Sequence, residues 1–103
     1  MQDVFASHDL LITPTVACPP VVNAEDGTTV GPSTVNGAPV DELLGWCLTY
    51  PVNLSGHPAA SVPAGLAAGN LPVGLQIIGP RHGDRRVLRA SAVLERVRPW
   101  RDS

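Results

Sequence analysis

Apolar positions along this chain change period several times, and each change marks an element. Leu10, Leu11 and Ile12 form an unbroken apolar run between Asp9 and Pro14, which predicts a strand covered on both faces, because strands buried on both sides do not alternate. Ahead of it, Val4 and Phe5 fall on one face of a short helix within residues 1–8. Residues 15–39 show no sustained period and are broken by Pro19, Pro20, Pro32 and Pro39 and by Gly27, Gly31 and Gly37, so a long loop is expected there. Val40, Leu43, Leu44, Cys47 and Leu48 then follow the spacing of an amphipathic helix, with Pro51 expected to stop or kink it. One more helical turn through Val52, Asn53 and Leu54 should end at Gly56. Residues 59–64 and 73–78 read as two strands joined through glycine, an antiparallel hairpin. Asp84 is placed to cap a last helix that reaches Arg98, with Val87, Leu88, Leu94 and Val97 in its apolar stripe.

Composition narrows the picture. Ten glycines and eleven prolines in 103 residues exceed the usual share of about 12% for the two together, so few elements have room to be long. A chain of this size buries roughly 60–65% of its unfolded surface if it folds as one unit. The net charge of −2 and the lack of a basic cluster outside the last turn argue against a nucleic-acid partner. No apolar stretch is long enough to span a bilayer, and the first residues lack a secretory pattern. A soluble, cytoplasmic protein is the expectation. Cys18 and Cys47 are too few and too widely spaced for a disulfide framework or a zinc site, and each is expected to be a small buried hydrophobe.

Few side chains suggest chemistry. His57 stands near Ser55 and Ser61, but no strained nucleophile turn surrounds them, and residues two apart on a turn seldom face each other; a turn or surface histidine is expected. His8 and His82 lie in separate segments, so no metal site is expected. Arg81, Arg85, Arg86 and Arg89 read as a solvated face, and Asn53-Leu54-Ser55 as a sequon without consequence inside a cell. Gln76, polar within an apolar run, suits backbone or cross-strand hydrogen bonding.

Three motifs occur in order along the chain: Asp9-Leu10-Leu11-Ile12-Thr13-Pro14-Thr15, then the run from Thr49 to Gly65 that contains Asn53-Leu54-Ser55-Gly56-His57-Pro58, then Pro72-Val73-Gly74-Leu75-Gln76-Ile77-Ile78-Gly79-Pro80. Together they resemble the C-terminal part of the amidase signature family. The resemblance implies an α/β fold, here a partial amidase-signature fold with mixed β-sheet strands and flanking helices, residues 1–103 forming a single piece. It implies that residues 9–13 join the hairpin in one sheet. It also implies hydrolysis of carboxamides through a serine acyl-enzyme in the intact enzyme, without metal or organic cofactor. The family's two serines and its lysine base lie upstream of these motifs, and this chain contains no lysine, so no catalytic residue is assigned here and the chain alone is expected to be inactive. In the tRNA-dependent amidotransferase branch an acidic residue near position 46 meets the polar end of the substrate. Trp46 stands there instead, which implies a wall for an apolar or aryl amide. Asn53 is the second candidate on the substrate side, with an expected role in holding the helix-to-strand corner through buried backbone groups. The implied partners are the N-terminal amidase portion, a second copy, or a small-molecule amide in the intact enzyme. The alternative is a non-catalytic association module that pairs with another chain through strand edges.

Overall fold

A computed structural model describes residues 1–19, 21, 25–27, 29–42 and 44–99. Its centre is an antiparallel sheet built from Leu11–Pro14 (β1), Ala59–Ala67 (β4) and Leu71–Ile78 (β5), in the order β1-β5-β4. The expected hairpin is present and longer than its apolar runs, because a short 3-10 turn at Ala68–Asn70 closes it and pairing continues out to Ala67 opposite Leu71. A bulge between Pro63 and Gly65 interrupts the ladder, which is where a proline without an N–H is tolerated. β1 joins the same sheet on the far side of β5, with Thr13 opposite Gln76 and Leu11 opposite Ile78.

The register sorts side chains onto two faces, since successive strand residues point to opposite sides. Ile12, Leu75, Ile77, Ala60 and Val62 share one face. Helix α2, Asp84–Val97, lies across β4 and β5 on that side, and Val87 packs with Val62 and Ile77 into the core, flanked by Leu10, Ala60, Leu75, Ala90 and Leu94. Thr13, Gln76 and Ser61 share the opposite face, followed one step along the strands by Thr15 and Gly74.

Several elements differ from expectation. β1 is not covered on both faces: it is an edge strand whose residues alternate between half-buried and exposed, with Ile12 50% exposed, because α2 covers its neighbours. Among the described residues of 40–49 no helix forms. The Trp46 carbonyl accepts from the Ala17 N–H at 2.9 Å and the Leu48 N–H donates to the Thr15 carbonyl at 3.1 Å, so Cys47 sits opposite Val16 in a strand-like bridge. Backbone groups that an isolated helix would have paired internally are taken up by the chain leaving β1. Leu43, part of the expected stripe, lies outside the described residues. Helix α1 then covers Tyr50–Ser55 with Pro51 in its first turn, where the missing N–H costs nothing; the proline starts this helix and does not stop one. Gly56 ends it in the left-handed conformation, as expected. The first residues wind as a 3-10 helix, Gln2–Ala6. Asp84 is the first residue of α2, not its cap; Gly83 holds that position without a side-chain cap bond. The long loop contains a small hairpin, Thr34–Val35 (β2) with Ala38–Pro39 (β3), turned by Asn36 and Gly37, both at positive φ, the Asn-Gly preference of a two-residue turn. No described helix is long and apolar enough to cross a membrane.

Candidate functional site

Two polar clusters stand apart from the apolar core. The first lies where α1 meets β4. Gly56 reverses the chain there, and this turn brings Ser55 and His57 face to face, contrary to expectation: His57 Nδ1 lies 2.9 Å from Ser55 Oγ and His57 Nε2 lies 2.8 Å from Gln2 Oε1. His57 is no surface histidine; it is 7% exposed and stacks on Phe5 with ring centres 5.4 Å apart. The left-handed glycine folds the backbone tightly enough for residues two apart to meet, and the N-terminal 3-10 helix covers the ring. Burial, and after it the Arg81 guanidinium, push the imidazole below its ordinary value, partly opposed by a hydrogen bond with the Ser55 backbone.

This pair is a poor nucleophile and base. Ser55 Oγ lies 2.9 Å from the Val52 carbonyl as well as 2.9 Å from the imidazole, so its single proton is contested by two acceptors, and Nε2 faces an amide where a hydrolytic histidine needs an orienting carboxylate at its other nitrogen. Arg81 Nη2 donates to the Ser55 carbonyl at 3.1 Å. The arrangement ties three segments together, so its chemistry is that of a structural corner.

The second cluster lies on the polar face of the sheet. Gln76, 3% exposed, donates from Nε2 to Thr13 Oγ1 at 3.0 Å and to the Leu48 carbonyl at 3.1 Å, the cross-strand and backbone role its setting in the sequence suggested. One step along, Thr15 Oγ1 and Ser61 Oγ lie 2.7 Å apart. Gly74 stands between them: a Cβ there would come within 2.7 Å of Thr15 Oγ1 and 2.9 Å of Ser61 Oγ. The turn at Trp46 to Leu48 is laced along this rim. Trp46 is half-buried, its indole N–H donating to the Glu42 carbonyl at 2.9 Å and its ring filling the space a side chain on Gly31 would need. The segment that pairs with the Trp46 backbone borders an apolar groove of about 350 Å³ lined by Pro14, Val16, Ala17, Cys18, Pro19, Pro72 and Val73. Cys18 and Cys47 are half-buried free thiols, and burial, followed by the neighbouring Cys47, raises the Cys18 thiol above its ordinary value.

Of the sequence-derived candidates, Trp46 lies two residues before the Leu48 carbonyl that Gln76 holds, with its indole turned to Glu42 and Gly31. Asn53 sits on exposed turns of α1, where its backbone N–H donates to the Thr49 carbonyl at 3.0 Å. The pairing of Thr15 with Ser61 is not among the sequence expectations. Its signal lies in the period of two that places Thr13, Thr15, Gln76 and Ser61 on one side of paired strands. Among the described residues no group of three or more His, Cys, Asp or Glu side chains is arranged to hold a metal ion, and the arginines of α2 are exposed, Arg86 meeting Asp9 at 3.8 Å.

Known proteins share both the sequence and the geometry. A family model described as Amidase matches residues 1–88. An acylamidase of Rhodococcus erythropolis is 42% identical over 96 residues, which is 92% of this chain and 19% of that relative. A glutamyl-tRNA(Gln) amidotransferase subunit from Streptococcus uberis is 44% identical over 94 residues, 91% of this chain and 17% of the relative. Among solved structures, a bacterial aryl acylamidase of the amidase signature family superposes with a TM-score of 0.91 at 56% identity, over 97% of this chain and 20% of that one. The chain thus spans about a fifth of the length of the relatives it matches.

Proposed function

Because this chain belongs to the Amidase family, we propose that it forms the C-terminal portion of a carboxamide C–N hydrolase and turns over no amide by itself. The observation that carries this reading is the unequal coverage: nearly all of the chain matches amidases, while only 17–20% of each of those amidases is matched. The chemistry agrees. A serine hydroxyl needs a base to attack an amide, and the developing oxyanion needs preorganised donors; the chain has no lysine, and the Val52 carbonyl competes with the imidazole for the Ser55 proton. In the assembled enzyme this portion supplies sheet strands, the last helix and a rim of the substrate funnel with Trp46 and Asn53. An indole at this point of the chain, its backbone paired with a segment that lines an apolar groove, suits an aryl or apolar acyl amide, the class named for the 56% identical aryl acylamidase.

The partner in this reading is the remaining portion of an amidase, joined covalently or supplied in trans. The test is reconstitution. This chain is mixed with the complementary portion of an aryl acylamidase, and hydrolysis of an anilide is followed. Activity only when both are present is the expected result. Turnover by this chain alone that disappears in Ser55→Ala would overturn it, as would a folded mixture that binds but hydrolyses nothing.

One observation favours the second reading, an association module. Ile12, Leu75, Ile77, Ala90, Val93, Leu94 and Val97 line an almost wholly apolar groove of about 380 Å³ between β1 and α2, next to an edge strand open to pairing. Hydrophobic-dye binding with concentration-dependent sedimentation fits either reading. A monomeric, dye-negative chain with one cooperative thermal transition favours an independent module over an amidase portion.

A further inference from the structure

We propose that Gln76 is the positioning residue that fixes Trp46 in the substrate wall, an inference that rests on the amidase reading above. Gln76 projects from the central strand β5, and its single amide nitrogen serves two acceptors on different elements: Thr13 Oγ1 on β1 at 3.0 Å and the Leu48 carbonyl at 3.1 Å. Both hydrogens of the amide are thereby used. Leu48 is held at its other end as well, its N–H donating to the Thr15 carbonyl at 3.1 Å. Two residues back, the Trp46 carbonyl accepts from Ala17 at 2.9 Å and its indole N–H reaches the Glu42 carbonyl at 2.9 Å. The backbone bonds at 46 and 48 run only to the segment leaving the edge strand β1. Gln76 alone, among the described residues, ties the turn by a side chain to the middle of the sheet.

The chemistry of the amide makes this role separable from packing. A glutamate at position 76 keeps the shape but as a carboxylate has no hydrogen to donate, and it sets its lone pairs against the Leu48 carbonyl. Burial raises the pKa of such a carboxyl, and the protonated acid regains one donor. Leucine regains none at any pH.

The test places Trp46 as the sole indole by Trp100→Phe and compares wild type, Gln76→Leu and Gln76→Glu at pH 8 and pH 5, reading Trp46 emission and the exchange rate of the Leu48 amide corrected for pH. Expected is a red-shifted emission and a Leu48 exchange about tenfold faster in both variants at pH 8, the effect of losing roughly one net hydrogen bond. The glutamate variant should return towards wild type at pH 5 and the leucine variant should not. A folded Gln76→Glu chain indistinguishable from wild type at pH 8 overturns the proposal. So does global unfolding on deprotonation with all amides exchanging together, which would make Gln76 a general core residue. On reconstitution with the complementary amidase portion, Gln76→Leu should raise KM for an anilide several-fold with little change in kcat and little change for an aliphatic amide; equal losses on both substrates overturn the specificity role. A mixture that hydrolyses nothing counts against the amidase reading, while emission and exchange decide the positioning on their own.

Discussion

On one face of the sheet Val62 and Ile77 meet Val87 of α2 with their side chains almost fully removed from water. On the other, Thr13, Gln76, Thr15 and Ser61 meet one another and the backbone at Leu48 through hydrogen bonds of 2.7 to 3.1 Å. The same three strands thus carry a face held by burial and a face held by directional polar contacts. Burial is non-directional and roughly proportional to area, so the apolar face stabilises the fold without fixing one arrangement closely. Hydrogen bonds gain little net energy but are strict in geometry. The polar face is therefore the one that fixes a neighbouring segment closely, holding the turn that follows Trp46 through the Leu48 carbonyl.

The contrast between the faces breaks most sharply on the apolar side. Ile77→Ala, at 2% exposure, should cost about 2–5 kcal/mol through lost transfer energy and the cavity left behind, a large share of the total for a chain of this size. Denaturant midpoints would measure it, and a loss below about 1 kcal/mol would mean that α2 does not seal this core.

A smaller effect should follow on the polar side from Gly74→Ala. The new methyl would press on Thr15 Oγ1 and Ser61 Oγ, and overpacking of this kind costs about 1–3 kcal/mol. Because the neighbours are hydroxyl groups near the surface, the low end is expected, and the double variant with Ser61→Gly should recover part of the loss. Additive losses in that pair would show that the strain falls elsewhere.

Smaller still is Ser61→Ala. Its hydrogen bond to Thr15 is exposed, so less than about 1 kcal/mol is expected, and a greater loss would show that the pair anchors the sheet.

The smallest effect is a pH dependence at the structural corner. The folded His57 has a lowered pKa, so the unfolded chain binds the proton first as pH falls below the ordinary histidine value of about 6.5. Stability contributed by the neutral ring is present in full above that value and declines through the interval down to the folded pKa. Thermal midpoints between pH 7.5 and pH 5 should therefore fall in wild type and fall less in His57→Gln, with Asp and Glu titration contributing equally to both; parallel slopes would remove His57 from the account.

The fold was legible wherever local chemistry and tertiary contacts agree. The two hairpin strands, the run at Leu10 to Ile12 and the last helix all announce themselves through apolar content and flanking turn residues, and Gly56 ends its helix because only glycine takes a left-handed backbone freely. Gln76 was also readable, since a polar group inside an apolar strand must find partners. The family-level motifs could be read because they are contiguous, and their order is a property of the chain itself.

What only the tertiary structure decided is which competing bond each backbone group makes and which residues two apart meet. Residues 40–50 carry a helical period, yet Trp46 and Leu48 pair with Ala17 and Thr15 in the chain beyond β1, a choice made by a neighbour far away in sequence. Leu10 to Ile12 reads as a doubly covered strand, yet its cover depends on what packs beside it, and α2 lies mainly over β4 and β5, leaving Ile12 half exposed. His57 is buried because Gln2 and Phe5 fold back over it, which no pattern around position 57 reveals. Periodicity reports the local preference of a segment, whereas partner choice is set by contacts between segments, and those exist only once the chain has folded.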